Sequence, residues 1–315
     1  MEKAVTIAGG GLAGLACGIR LLERGWSVTL HERQRYPLRK VCGEFLSPAG
    51  WARAQALGAE SFLERPPLPL RSARFYGGPE LYADFSLDPP AWGLSRAALD
   101  QSLARRFQSL GGDLREGSEA PPDRPGMVLA TGRPSDGGPG AWMGWKGYLA
   151  AADAPPELEQ ADLLMLPLPH GYAGLSRVED GRVSLCLVAR TPVRVPDLFE
   201  FHPLLRRVFP RLAHYASIAG FGFGVGPGFG RVGDALRVFP PVVGDGMSQA
   251  LRGGEALAAR LDGAGGRLDL EGALRFRLAL GLHHLMLWPA GRAAAVRLCR
   301  AKPWLAGKLY HWSRG

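Results

Sequence analysis

At 315 residues with 46% apolar side chains, the chain has material for one large or two medium cores, which excludes a disordered polymer and a stapled miniprotein. Its four cysteines, Cys17, Cys42, Cys186 and Cys299, lie far apart with no C-x-x-C pair, which argues against a zinc site and a disulfide framework and fits a reducing compartment. The net charge is +9, and eight positive charges fall between Ala273 and Gly315, where no Asp or Glu occurs; without a nucleic-acid-binding motif, that charge does not point to DNA or RNA.

From the N-terminus, Ala4 to Ala8 is a short apolar run ending in glycines, which predicts a strand rather than a signal-peptide core. No stretch approaches the roughly 18 uninterrupted apolar residues of a spanning helix, so a cytoplasmic location is expected. AVTIAGGGLAGLACGIRLLERGWSVTLHER reads as strand, glycine turn, helix and strand, with Gly9, Gly11 and Gly14 in G-x-G-x-x-G spacing. The first glycine permits the tight turn, the second lets the backbone approach a pyrophosphate, and the third brings helix and strand together. Leu12 and Ala13 open the helix, whose free N–H groups and positive dipole end suit phosphates. The next strand ends at Glu32, placed to accept hydrogen bonds from ribose hydroxyls and to repel a 2′-phosphate, with Arg33 beside it. This fingerprint alone fits either NAD or FAD.

KVCGEFLSPAG, residues 40–50, is too polar for a core strand and too rich in Gly and Pro for a helix, so it reads as a ligand-side loop. Cys42 in it is either a nucleophile or acid, or a small apolar filler. Arg35 or Arg39 would neutralise phosphates. Alternating runs at 71–87 and 161–190 predict antiparallel strands, and the few charges between Leu163 and Leu175 predict an apolar pocket. His170 and Tyr172 are the polar groups there; for His170, an edge turn in water is the stronger expectation. Further on, Val232-Gly233-Asp234 would end a strand and present Asp234 to a chain of hydroxyls. Pro240-Pro241 forms a rigid turn, and Gly244, Asp245, Gly246 and Met247 lead into a second helix. Two glycine-lined helix N-termini suit one long dinucleotide, and FAD is such a molecule. The tail from Leu278, broken at Pro289, predicts two helices. It either docks on an anionic membrane or packs as a solvated pair on the body, and Leu285, Leu287 and Trp288 would close one end of the pocket.

With Glu32, the segment LSRAALDQSLARRFQSLGGDL and the pattern GDA…PP..GDGM..AL..GE, the chain resembles the para-hydroxybenzoate-hydroxylase-type FAD-dependent oxidoreductases, in their geranylgeranyl-reductase-like and halogenase-like branch. The resemblance implies an α/β fold with an α+β second domain. A Rossmann-type FAD-binding domain (1–60, 91–150 and 226–275) would carry an inserted antiparallel sheet for substrate (61–90 and 151–225) and a basic helical tail (276–315). It further implies that Arg96 reaches the FAD phosphates, that Asp234 holds the ribityl chain, and that Gly244 to Met247 lie against the flavin ring. By the same resemblance Cys42 and Glu44 line the reaction chamber, and with Tyr172 they are the candidate catalytic residues. Two departures stand out: Thr131-Gly132-Arg133 occupies the place of an Asp-Gly motif, and Trp142-Met143-Gly144-Trp145-Lys146 lacks the Ile-Pro of the halogenase motif. By fold analogy, the resemblance implies hydroxylation of a lipophilic polyketide, phenolic lipid or isoprenoid through a flavin C4a-hydroperoxide, with NAD(P)H or a separate reductase as electron donor. Carbon–carbon double-bond reduction with Cys42 or Tyr172 as the acid is the alternative, and Cys42 together with the missing Asp-Gly favours it. A flavoprotein that passes electrons to a membrane or protein partner through its basic tail is a third.

Overall fold

A computed structural model describes residues 3–77, 80–122, 126–133, 141–225, 230–263 and 270–301. Along the chain run β1 (Ala4–Ala8), α1 (Leu12–Leu22), β2 (Ser27–Glu32), β3 (Phe45–Leu46), α2 (Pro48–Ala56), β4 (Leu68–Tyr76), β5 (Leu81–Gly93) and α3 (Arg96–Ser109). There follow β6 (Asp113–Glu116), β7 (Val128–Leu129), β8 (Trp142–Leu149), α4 (Glu157–Gln160), β9 (Leu163–Leu168), β10 (Gly171–Arg177), β11 (Val183–Arg190), α5 (Val195–Glu200) and α6 (Pro203–Val208). The last elements are β12 (Ala213–Phe221), β13 (Gly224–Val225), β14 (Arg237–Val238), α7 (Gly246–Leu261), α8 (Leu270–Leu287) and α9 (Pro289–Ala301).

One sheet is parallel, ordered β6-β2-β1-β7, and a bridge from Leu129 to Arg231 extends it by one position. β1 begins exposed at Ala4, and Val5, Ile7 and Ala8 are buried, as in a central strand between packed layers. α1 packs against both α7 and α3. The contact with α7 is backbone-close at Gly254, where any Cβ would fall inside the Ala13 carbonyl. Leu15 and Ile19 of α1 are fully buried, each worth about 1.5–3 kcal/mol of apolar transfer.

The larger sheet has eight strands in the order β12-β8-β11-β10-β9-β4-β5-β3. It is antiparallel except where β4 runs parallel to β9. Strand alternation divides its side chains. Leu164 and Leu166 of β9, Ala173 and Leu175 of β10, and Leu185 and Leu187 of β11 form a core with Leu198 and Phe199 of α5 and Leu204 and Leu205 of α6. The opposite face carries Met165, Tyr172, Gly174, Cys186 and Val188, which turn toward the parallel sheet.

Two expectations are corrected here. β8, placed by the sequence reading in the nucleotide-binding segment 91–150, pairs with β11 and β12 in the larger sheet, because Met143, Trp145 and Leu149 belong to that sheet's core. Nor is the stretch 40–50 a loop throughout. Phe45 and Leu46 pair with Gly93 and Trp92. Ser47 then caps α2 by accepting the Gly50 N–H at 3.2 Å, with Pro48 in the first turn, where proline's missing N–H costs nothing. Residues 302–315 of the expected basic tail lie outside the described residues.

Candidate active site

A cavity of about 900 Å³ separates the two sheets. One end is built by the first βα turn: Gly9, Gly11, Leu12, Ala13, Glu32 and Arg33 lie on its wall. Gly9 has φ +106°, and a Cβ there would strike the Ala130 carbonyl, so only glycine permits this turn. Gly14 is off the wall, and its Cβ position is occupied by the Gly9 carbonyl, the close helix–strand approach expected of it. Glu32 is buried and accepts the Gly10 N–H at 2.9 Å and the Gln34 N–H at 3.0 Å. That fixes the carboxylate at the strand end. Tyr36 donates its hydroxyl to the Gly10 carbonyl at 2.5 Å, and burial pushes that hydroxyl far above its ordinary pKa.

The middle of the wall comes from residues distant in sequence. Arg96 begins α3 and grips the fully buried Asp100 through Nε and Nη2 at 2.9–3.1 Å. Arg133 bonds Asp234 at 2.8 Å and lies over the Phe221 ring at 4.8 Å. Arg39 lies over Tyr215 at 5.6 Å. On the wall, Arg33, Arg39, Lys40, Arg96, Arg133 and Arg231 outnumber Glu32, Glu44, Glu119 and Asp234, so the surroundings favour an anionic guest. Arg35 is not on the wall.

The second glycine turn closes this side. Gly233, Asp234, Pro241, Gly244, Gly246 and Met247 are on the wall, and Gly244 has φ +67°. α7 starts at Gly246, so its first turn, with Gly246 and Met247, lies on the cavity wall. Asp245 does otherwise. Its carboxylate is buried against Ser47 at 3.3 Å, Gln249 at 2.5 Å and Arg275 at 3.7 Å. It therefore ties α2, α7 and α8 together, and its side chain is not on the wall, contrary to the expectation for it.

The loop 40–44 supplies Cys42 and Glu44. Cys42 is half-buried on the wall and accepts the Glu44 N–H at 3.4 Å. Glu44 is fully buried with φ +59°. It accepts the Arg96 N–H at 2.8 Å and the Tyr148 hydroxyl at 2.8 Å, and Oε1 lies 2.5 Å from Lys146 Nζ. Lys146 is also fully buried. Its other N–H groups meet the faces of Tyr148 and Tyr215 at 4.7 and 4.9 Å rather than further oxygens. Glu44 thus has its oxygens engaged and anchors the loop to α3 and β8.

The apolar part of the wall is Phe45, Ala73, Phe75, Phe85, Leu87, Leu163 and Met165. Tyr172 stands at one end, buried so that its hydroxyl is held well above its ordinary pKa. Its oxygen is 3.4 Å from Nδ1 of His283 on α8. Burial drives His283 down to about 4, and its Nε2 has no hydrogen-bond partner among the described residues. Cys186 shares the wall, its thiol pushed up to about 12 by burial. His170 is exposed at the β9–β10 turn with φ +59°, away from the cavity. Trp288, expected to close the pocket, is 62% exposed, and Leu285 and Leu287 are also off the wall. Sequence reasoning missed Arg133, Lys146, Cys186 and His283. Strand alternation in WMGWKGYL was the available signal for Lys146, which shares a face with Gly144 and Tyr148.

No protein-family model and no curated protein matches the chain. Solved structures do. FqzB aligns with a TM-score of 0.73 at 18% identity over 93% of this chain and 86% of that one. The flavin-dependent brominase Bmp2 gives 0.70 at 17% identity over 99% and 93%. Klebsiella pneumoniae HpxO, solved with FAD and uric acid, gives 0.69 at 18% identity over 95% and 93%. The parallel sheet with its glycine turn, the large, mainly antiparallel sheet facing it and the near-complete alignments show that this chain shares the fold of these solved proteins.

Proposed function

We propose that the protein is an FAD-dependent oxidoreductase, and specifically a monooxygenase of a lipophilic small molecule. The observation that carries this reading is the continuity of one cavity from the Gly9–Gly14 turn, past Cys42, to the Gly244–Met247 turn and on to an apolar wall. The residues fit FAD. A Cβ at Gly11 would meet nothing nearer than the Arg96 guanidinium at 3.9 Å, so its backbone is bare toward the cavity; the first turns of α1 and α7 lie on the wall, and the wall is rich in arginine. In this reading the N–H groups at Gly11, Leu12 and Ala13 hold the pyrophosphate, Glu32 holds the adenosine ribose, and Asp234 holds the ribityl chain. Arg33, Arg39 and Arg96 balance the phosphate charge, and Pro241, Gly244, Gly246 and Met247 border the ring. When bound, FAD supplies the chemistry: it accepts a hydride from NAD(P)H or electrons from a reductase, and it reacts with dioxygen.

The chain's own residues do the rest. Phe75, Phe85, Leu87, Leu163 and Met165 exclude water and favour an uncharged substrate. Tyr172 stays protonated across the neutral range and donates a hydrogen bond or proton from its buried hydroxyl. Glu44 is a positioning residue, holding the Cys42 loop against α3. Cys42, on the wall, supports a second reading as the acid in an ene-type reduction. The test is turnover of FAD-loaded protein with lipophilic phenols and isoprenoids, reduced by NADH or dithionite. Incorporation of one atom from isotopically labelled dioxygen supports hydroxylation. Double-bond reduction that proceeds without oxygen overturns it in favour of the reductase.

A further inference from the structure

We propose that the outward face of α8 and α9 docks on the surface of an anionic lipid bilayer. The exposed positions of α8 and the junction after it are Leu274, Arg277, Gly281, His284 and Trp288, spaced by three or four residues. They form one stripe along the helix. On α9, Ala294, Arg297 and Leu298 are also exposed. Leu274 is 59% exposed, Trp288 62% and Leu298 48%, so three large apolar side chains stand in water within two consecutive helices. No carboxylate accompanies them: the sequence contains no Asp or Glu after Glu271.

The opposite side of the pair is occupied. Phe276 and Ala279 pack on Phe239 and Val243, which fixes α8 to the 241–243 turn, and α9 lies against β5. Both supports also wall the cavity. The outward stripe is therefore held rigidly and has nothing covering it among the described residues.

Its chemistry selects the occupant. Tryptophan and leucine beside arginine suit the headgroup level of a bilayer, where the indole is half-wet and the guanidinium meets anionic lipids. A second copy of the same stripe would set arginine against arginine and is disfavoured. No described helix is long and apolar enough to cross the membrane, so contact is at the surface. Docking stands independently of the flavin reading. If that reading holds, the contact brings the apolar cavity close to lipid-dissolved substrates.

The test is flotation of the full-length protein with vesicles of phosphatidylcholine alone or mixed with phosphatidylglycerol, with FAD content measured in the same samples. The protein is expected to float only with the anionic vesicles, and less as salt rises. Arg277→Glu with Arg297→Glu should weaken partition by more than about tenfold, since each arginine is worth about fivefold near such a surface. Trp288→Ser should weaken it severalfold, with thermal midpoints unchanged because these side chains are exposed. Failure to float with either vesicle, or unchanged flotation of the variants, overturns the proposal whatever the FAD content. So does self-association without vesicles that the same variants abolish, which would assign the face to a second copy.

Discussion

Replacing Lys146 by Met tests how the Cys42 loop is held. The ammonium and the Glu44 carboxylate are both fully buried and 2.5 Å apart. Methionine keeps the stem's volume, so packing changes little and the charge is what is lost. Breaking one side of a buried pair costs about 3–5 kcal/mol, because a desolvated charge is left behind. Glu44 keeps the Arg96 N–H and the Tyr148 hydroxyl, which places the expected loss near the lower bound, about 3 kcal/mol. At about 2–4 °C per kcal/mol, the midpoint should fall by roughly 6–12 °C. The assay is urea and thermal unfolding of FAD-free protein, so that altered cofactor affinity does not contribute. Adding Glu44→Gln removes the stranded charge, and the double variant should regain at least about 1.5 kcal/mol over Lys146→Met alone. A loss under about 1 kcal/mol for Lys146→Met, additive with Glu44→Gln, would refute the reasoning.

Further predictions concern the cofactor turns, the buried histidine and the thiol. Gly9→Ala forces a Cβ onto the Ala130 carbonyl at φ +106°; it should abolish flavin uptake and lower stability by about 2–4 kcal/mol, read by absorbance and urea unfolding. His283 is held at about 4 by burial, against an ordinary value near 6.5. The unfolded chain therefore binds the extra proton between these values, so stability should be full above about pH 6.5 and fall by up to about 3 kcal/mol toward pH 4. His283→Phe should flatten that slope in unfolding curves taken across the same range. Cys42→Ser should leave oxygen-dependent turnover within about threefold, whereas a loss of several orders of magnitude would give the thiol a direct part in the reaction.

The Gly9–Glu32 end of the cavity was legible because local rules govern it. A turn that only glycine can make, a helix start and a carboxylate at a strand end all lie within Gly9–Glu32, and the structure places them together. The Gly244–Met247 turn was legible for the same reason, apart from Asp245. One residue's direction at a helix start depends on partners such as Ser47 and Arg275, which no local pattern names. The long-range pairs were opaque. Arg133 meets Asp234 across 101 positions, and Lys146 meets Glu44 only because β8 joins the larger sheet. Trp288 was misjudged because an amphipathic tail reads alike whether its apolar side turns inward or outward, and packing on Phe239 and Val243 decides which.

Equilibrium titration of the flavin-free protein with FAD, FMN and ADP tests the central claim most directly. Two separated turns gripping one extended molecule predict one FAD per chain, with FMN and ADP each weaker by at least roughly a hundredfold, since each engages only one turn. A folded protein that takes up no flavin, or that binds FMN as tightly as FAD, would contradict the account.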